Sequence, residues 1–173
     1  MTFQTAVFQQ QGSGVPGELY VDYPRRAQSF TMFNSGHPEY NIVGQTCYTI
    51  TSPGFAQAGN GGTLGFAGFL FNPKVYSLQG TVAGTLNPTM VLPNYTQGEF
   101  ITEGSIWVNL PNTANIGDLI VYDNTTGAIA SITPSTSLGS GRTFANAVVA
   151  YQNVTVAGLA IIAINPLLPT PTP

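Results

Sequence analysis

Residues 119–132 read LIVYDNTTGAIASI, and the reading of this stretch decides the fold. Its two flanks, 119–122 and 128–132, are short runs dominated by branched and aromatic side chains, the residues that fit a pleated, half-buried backbone. Between them Asp123-Asn-Thr-Thr-Gly127 carries turn chemistry, and Gly127 supplies the left-handed conformation that closes such a loop. The stretch is therefore a β-hairpin. Outward from it the same grammar repeats. In 105–110, SIWVNL, alternation sets Ile106, Val108 and Leu110 on one face and Trp107 and Asn109 on the other. In 42–52, IVGQTCYTITS, it sets Cys47, Thr49 and Thr51 against Tyr48 and Ile50. Segments 144–151 and 154–164 read as two more strands joined around Gln152-Asn153. The chain of 173 residues holds 20 glycines and 13 prolines, and they interrupt every window long enough for helical periodicity. The expectation is an all-β fold, a sandwich or barrel of jelly-roll-like kind.

The ends differ from this middle. Residues 1–17, with QQQGSGVPG behind Phe3, Val7 and Phe8, read as a flexible N-terminal arm. Residues 166–173, PLLPTPTP, read as an extended polyproline-like tail. A single β domain is expected over 18–165, and the apolar residues of the arm are candidates to fold onto a neighbouring subunit.

Composition excludes several functions. Charged residues make up 6% of the chain, where soluble domains average about 25%. With four cations and a sequence pI near 4.7, binding to nucleic acid has no electrostatic basis. A surface this poor in charge has little protection against association, which points to coverage by partners. A lone cysteine, Cys47, forms no internal disulfide framework and fits assembly in a reducing cytoplasm. The first residues show no basic and apolar signal segment. The longest apolar stretch, 158–164, is far short of the roughly 20 residues that span a bilayer. No membrane role is expected.

No catalytic constellation assembles. His37 is the only histidine, so a zinc site, a Cys–His pair or a Ser-His-Asp triad lacks its members. Glu99 and Glu103 share one face of an extended segment but stand about 13 Å apart at the strand rise, beyond the roughly 5–9.5 Å that glycoside hydrolysis uses. Residues 59–68, GNGGTLGFAG, lack the lysine of a phosphate-binding loop and feed a strand instead. No enzyme activity, cofactor or metal is expected. Three matches to the glycosylation sequon, at Asn94, Asn124 and Asn153, read as ordinary turn residues.

The segments PGELYVDYPRRAQSF (16–30), NPKVYSLQGT (72–81) and GEFITEGSIWVNLPNTANIGDLIVYDNTTGAI (98–129) together resemble the structural cement, or capsid decoration, proteins of tailed bacteriophages. The resemblance runs from about Gly14 to Ile164. It implies a β-rich virion protein on the outer surface of the capsid, assembled in the host bacterial cytoplasm. There it would stabilise contacts between major capsid protein subunits and act with neighbouring copies as a dimer or trimer. It implies no catalytic residue and no cofactor. The rival reading is a carbohydrate- or receptor-binding β module of a phage tail spike, which would use exposed aromatic rings.

Candidate interface residues follow from chemistry alone. Interfaces are enriched in Tyr and Arg, which nominates Tyr20, Tyr23, Arg25 and Arg26. Phe3 and Phe8 of the arm join them, with Lys74 as one of the two remaining cations. Arg25 and Arg26 either pair locally with Glu18 and Asp22 or reach a carboxylate on a partner. Neighbours on an extended segment point to opposite sides, so each arginine can take one role.

Overall fold

The computed structural model describes residues 14–20, 25–71 and 91–165. Among them are nine strands: β1 Arg26–Met32, β2 Cys47–Ser52, β3 Phe55–Ala58, β4 Phe66–Phe71, β5 Gln97–Leu110, β6 Leu119–Asp123, β7 Ile129–Ile132, β8 Arg142–Ala150 and β9 Gly158–Ile164. The only helical piece among the described residues is one 3₁₀ turn, Pro38–Tyr40. The hairpin forms as its sequence dictates. Leu119 to Tyr122 pair with Ile132 to Ile129, and Gly127 takes φ +71°. Asp123 Oδ1 ties the turn by accepting from the backbone N–H groups of Thr125 and Thr126 at 2.9 and 2.8 Å, and from the Thr126 hydroxyl.

Five strands close a barrel in the order β1-β3-β2-β4-β5, with β1 returning to pair antiparallel with β5. The β1–β3 seam is parallel and short, registering Thr31 with Phe55 and Met32 with Ala56. Met32, Tyr48, Leu70 and Phe100 fill the interior with the smaller Ala56, Ala58 and Ala67. A buried amide network closes one end. Asn41 Oδ1 accepts from the Tyr48 hydroxyl at 2.7 Å and from the Asn34 amide. The Asn41 amide donates to Asn94 Oδ1 at 3.0 Å, and Asn94 in turn donates to the Asn34 carbonyl at 2.7 Å. Burial pushes the Tyr48 phenol well above its ordinary pKa, so the hydroxyl stays a donor.

The remaining four strands form an outer sheet with the far half of β5, in the order β5-β9-β8-β6-β7. Its inner face packs on the barrel wall. Ile106, Val108 and Leu110 of β5 lie in one core with Ile120, Val149 and Ile162, and with Cys47, Phe69 and Ile101 from the outside of the barrel. The hairpin loop locks this layer down, since the Cys47 N–H donates to the Gly127 carbonyl at 2.9 Å and Ile129 N–H to Gln45 at 3.1 Å. A Cβ on Gly127 would meet the Cys47 carbonyl oxygen at 2.5 Å. Glycine is required there by both conformation and space.

β5 serves both layers because its phase slips. Phe100 faces the barrel interior while Ile101 faces the second core, yet beyond the slip it is the even residues, Ile106 onward, that face that core. The register with β1 jumps from Ala27↔Ile101 to Arg26↔Glu103, leaving Thr102 as the extra residue of a bulge, and Gly104 takes φ +127°. Such a bulge bends a strand and re-aims its side chains.

The structure shortens two expected strands. Segment 42–52 becomes a strand only from Cys47, because residues 42–46 are occupied by turns and by the bridge of Ile42 to Val91. Segment 154–164 becomes one only from Gly158, since Val154 pairs with Ala114 instead. Of the two architectures left open, the barrel is the one formed. Residues 1–13 and 166–173 lie outside the described residues. The sequon asparagines do work as local bonding residues: Asn94 in the buried network, Asn124 with the Thr143 hydroxyl, and Asn153 with the Ile116 N–H.

Replacing Asn41 by alanine strands the Tyr48 hydroxyl and the Asn34 amide, each costing about 1–3 kcal/mol when buried unpaired. Thermal unfolding of Asn41→Ala is expected to fall by roughly 5–15 °C for a chain of this size. Asp123 titrates below its ordinary range, chiefly because the Thr126 N–H donates to the carboxylate, with further donors and Arg142 nearby. A lowered folded-state pKa means its stabilisation is full above the unfolded value and lost as pH falls through the folded one. In urea titrations Asp123→Asn should therefore be less stable than the parent at pH 7, with the difference shrinking as pH falls through the lowered folded-state pKa.

Candidate functional site

The described residues carry little that could do chemistry. His37 stacks on Tyr40 with 10° between planes and bonds Glu39 at 2.8 Å, an exposed surface pair in which that bond lowers the Glu39 pKa. The Cys47 thiol is fully buried, and desolvation pushes its pKa far up, so it is unreactive. Glu99 and Glu103 are exposed on β5 opposite Ser29 and Arg26. The glycine-rich stretch is the loop from β3 to β4. No group of His, Cys, Asp or Glu among the described residues could hold a metal ion. Among the described residues no helix is long and apolar enough to cross a membrane.

The arginines sit at the slip in β5. Arg26 opens β1 opposite Glu103, and its carbonyl accepts from the Thr102 hydroxyl at 3.2 Å. With Gln28, Phe66, Thr102, Glu103 and Asn146 it lines a cleft of about 170 Å³. Arg25 precedes it and lies against Gly104, its Cβ only 3.5 Å from where a side chain there would begin. Both are exposed. Glu18, an expected partner, bonds the Val15 N–H at 3.2 Å. Asp22, with Tyr23, Phe3, Phe8 and Lys74 of the candidate set, lies outside the described residues.

Tyr20 leads to the feature that stands out. Residues 17–20 run along the free edge of β5 opposite β9. Gly17 N–H donates to the Trp107 carbonyl at 2.7 Å, Trp107 N–H to Glu18 at 2.8 Å, and Tyr20 N–H to Ser105 at 3.0 Å. This segment covers Trp107, which is 6% exposed although it lies on the outward face of its strand. The Tyr20 ring stands edge-on to the indole with centroids 5.7 Å apart, and Tyr151 leans on Tyr20 at 4.8 Å and 45°. Tyr20 remains 37% exposed and Tyr151 49%. A second pair sits at the other end of β5. Phe33 and Tyr95 contact at 5.0 Å and are 37% and 70% exposed. Tyr95 is held by its N–H on the Met32 carbonyl at 2.7 Å. About eight strand residues separate the two pairs, roughly 25 Å along β5.

Both leading tyrosines occupy strained backbone. Tyr95 has φ +65° and Tyr151 φ +66°; Asn146 is the only other non-glycine residue with positive φ among those described. A left-handed conformation costs a bulky side chain about 1–2 kcal/mol. Here it holds an aromatic ring in water beside another one, an arrangement that folding alone does not reward. Tyr151, Tyr95 and Phe33 were not singled out from sequence. The available signal was weak: each borders a polar turn, as in Asn94-Tyr95 and Tyr151-Gln-Asn153.

The residues from 3 to 165 match the family model described as structural cement protein (E217 gp24/Pam3 gp6). The chain belongs to the structural cement protein family. It is accordingly a structural component of a phage virion capsid and not an enzyme. Among solved structures, a chain from the capsid of Myoviridae phage XM1 shares the fold, with a TM-score of 0.58 at 19% identity, covering 97% of this chain and 100% of that one. No curated protein matches.

If the pairs exist for a partner, removing one costs the isolated fold little. Tyr95→Gly relieves the backbone strain while losing one half-exposed ring contact, and its unfolding free energy should stay within about 1 kcal/mol of the parent. Phe100→Ala, inside the barrel, should cost about 3–5 kcal/mol in the same denaturation series.

Proposed function

We propose that this cement protein sits on the outer surface of the phage head, over junctions between major capsid protein subunits, and holds neighbouring subunits together. The observation that carries this reading is the placement of two exposed aromatic pairs beside opposite ends of β5, with the exposed Arg25, Arg26, Glu99 and Glu103 between them. β5 is hydrogen-bonded along both edges, to β1 and β4 in the barrel and to β9 and residues 17–20 beyond it. Two contact points on such a strand keep a constant spacing, so force applied to one subunit is passed to the next. The Phe33–Tyr95 end is assigned to the capsid shell and the Tyr20–Tyr151 end to a neighbouring copy of the cement protein, within a dimer or trimer.

Arg25 and Arg26 lie between these ends. In this reading one braces the bend of β5 and the other meets a carboxylate on a partner, where a bidentate, desolvated contact is far stronger than an exposed ion pair. Tyr23, Phe3, Phe8 and Lys74 are further candidate contacts on the same chemical grounds. Each contact is modest, but repetition over a closed lattice raises the effective concentration of every next one.

Capsids assembled without this protein should bind it saturably and regain resistance to heat when it is added back. Tyr95→Ala should raise the dissociation constant at least about tenfold, or about 1.4 kcal/mol, with the melting temperature of the free protein unchanged. Absence of saturable binding by the parent protein would contradict the proposal.

A further inference from the structure

The barrel leaves part of one strand edge unpaired. β3 reaches β1 only at Thr31 and Met32, so among the described residues no strand adjoins residues 26–30 on the flank away from β5. The Thr31 N–H donates to the Gly54 carbonyl on that flank at 2.8 Å, and the Met32 N–H to the Thr96 carbonyl on the β5 side at 2.9 Å. Backbone groups alternate sides along a strand. Those of Ala27 and Ser29 therefore point away from β5, as those of Thr31 do, and residues 26–29 are all exposed. Other edges are closed by side chains. On β7 Asn112 accepts from the Ser131 N–H at 3.2 Å and donates to its carbonyl at 3.0 Å, and on β3 Asn34 Oδ1 accepts from the Ala58 N–H at 2.7 Å. Among the described residues no side chain plugs the edge of β1 in this way.

An open edge is a template for another strand, and the sequence of this one is complementary to itself. We infer that two copies of the protein pair antiparallel through residues 26–30, about a two-fold axis at Gln28. That axis sets Ala27 opposite Ser29 of the second copy, and each such pair exchanges two hydrogen bonds. The bonds use the outward groups of Ala27 and Ser29 in both copies. Arg26 faces Phe30 of the second copy, and the two Arg26 residues stand about 13 Å apart along the strands. Like charges therefore never sit directly opposite, where they would destabilise the ladder. Gly54 already occupies Thr31, which ends the window at Phe30, and a two-fold contact closes at two copies. The contact is separate from both aromatic pairs. It goes beyond the reading above by adding a self-contact that needs no capsid.

Sedimentation equilibrium of the full-length protein at rising concentration should show monomer and dimer, with a dissociation constant below about 1 mM. Ser29→Pro removes an outward N–H at an edge position that tolerates proline. It should weaken the dimer at least tenfold with the melting temperature unchanged, and Tyr151→Ala should leave the dimer intact. Amide hydrogen exchange on the unaltered protein reads the same edge without a variant. Ala27 and Ser29 should gain protection as concentration rises, while Gln28 and Phe30, which face β5, stay protected throughout. A strictly monomeric protein overturns the inference, as does a dimer that survives Ser29→Pro or is lost with Tyr151→Ala. Protection of Ala27 and Ser29 at every concentration would mean that the chain covers its own edge, and that also overturns it. Saturable capsid binding can stand in each of these cases, so the two readings fail separately.

Discussion

The bend in β5 is the constraint on which the rest of the molecule depends. A strand whose odd and even residues kept their faces throughout would serve one core, and the other layer would have no shared element. The extra residue at Thr102 and the positive φ of Gly104 turn the strand's apolar set over between Ile101 and Ile106. The first half can then close a barrel around Phe100, while the second half presents Ile106, Val108 and Leu110 to the layer outside it. A one-residue slip that would be destructive in an isolated sheet here joins two sheets.

From this junction the surface follows. The outer sheet must leave one face toward solvent, and Trp107 lies on that face. Residues 17–20 cover it with a short backbone ladder, which in turn lifts Tyr20 into contact with Tyr151. At the far end the chain rises from Met32 to Phe33 and meets Tyr95, pinned by a single backbone bond. Neither pair is sealed, and both tyrosines are held in backbone conformations that a free loop would leave. Strain of this kind persists where surrounding structure imposes it.

Much of the fold was legible because local chemistry and final structure agree. The hairpin over 119–132 formed around Gly127, and alternation in 105–110 separated the two faces of β5 as they stand, with Ile106, Val108 and Leu110 together in one core. What escaped was non-local. Sequence alternation cannot reveal that β5 begins at Gln97, since the slip near Gly104 breaks the period just where a reader would extend it. β1, whose residues RAQSFTM are mostly exposed, has no apolar stripe to announce that it closes the barrel. The site was legible only in part: Tyr20 and the arginines were drawn from interface chemistry, whereas Tyr151 resembled the last residue of a strand. Its role arises from a turn geometry and a ring partner more than a hundred positions away.

The mechanical logic joins these parts. In the proposed reading, a stiff strand with a contact beside each end transmits load without needing a large charged interface, which suits a chain with so few ionised groups. Hydrogen exchange on the protein alone and on reconstituted capsids tests the central claim most directly. Simultaneous protection of the segments around Tyr95 and around Tyr20 and Tyr151, with the barrel interior unchanged, is the expected result. Protection confined to one end would contradict a protein that bridges two surfaces.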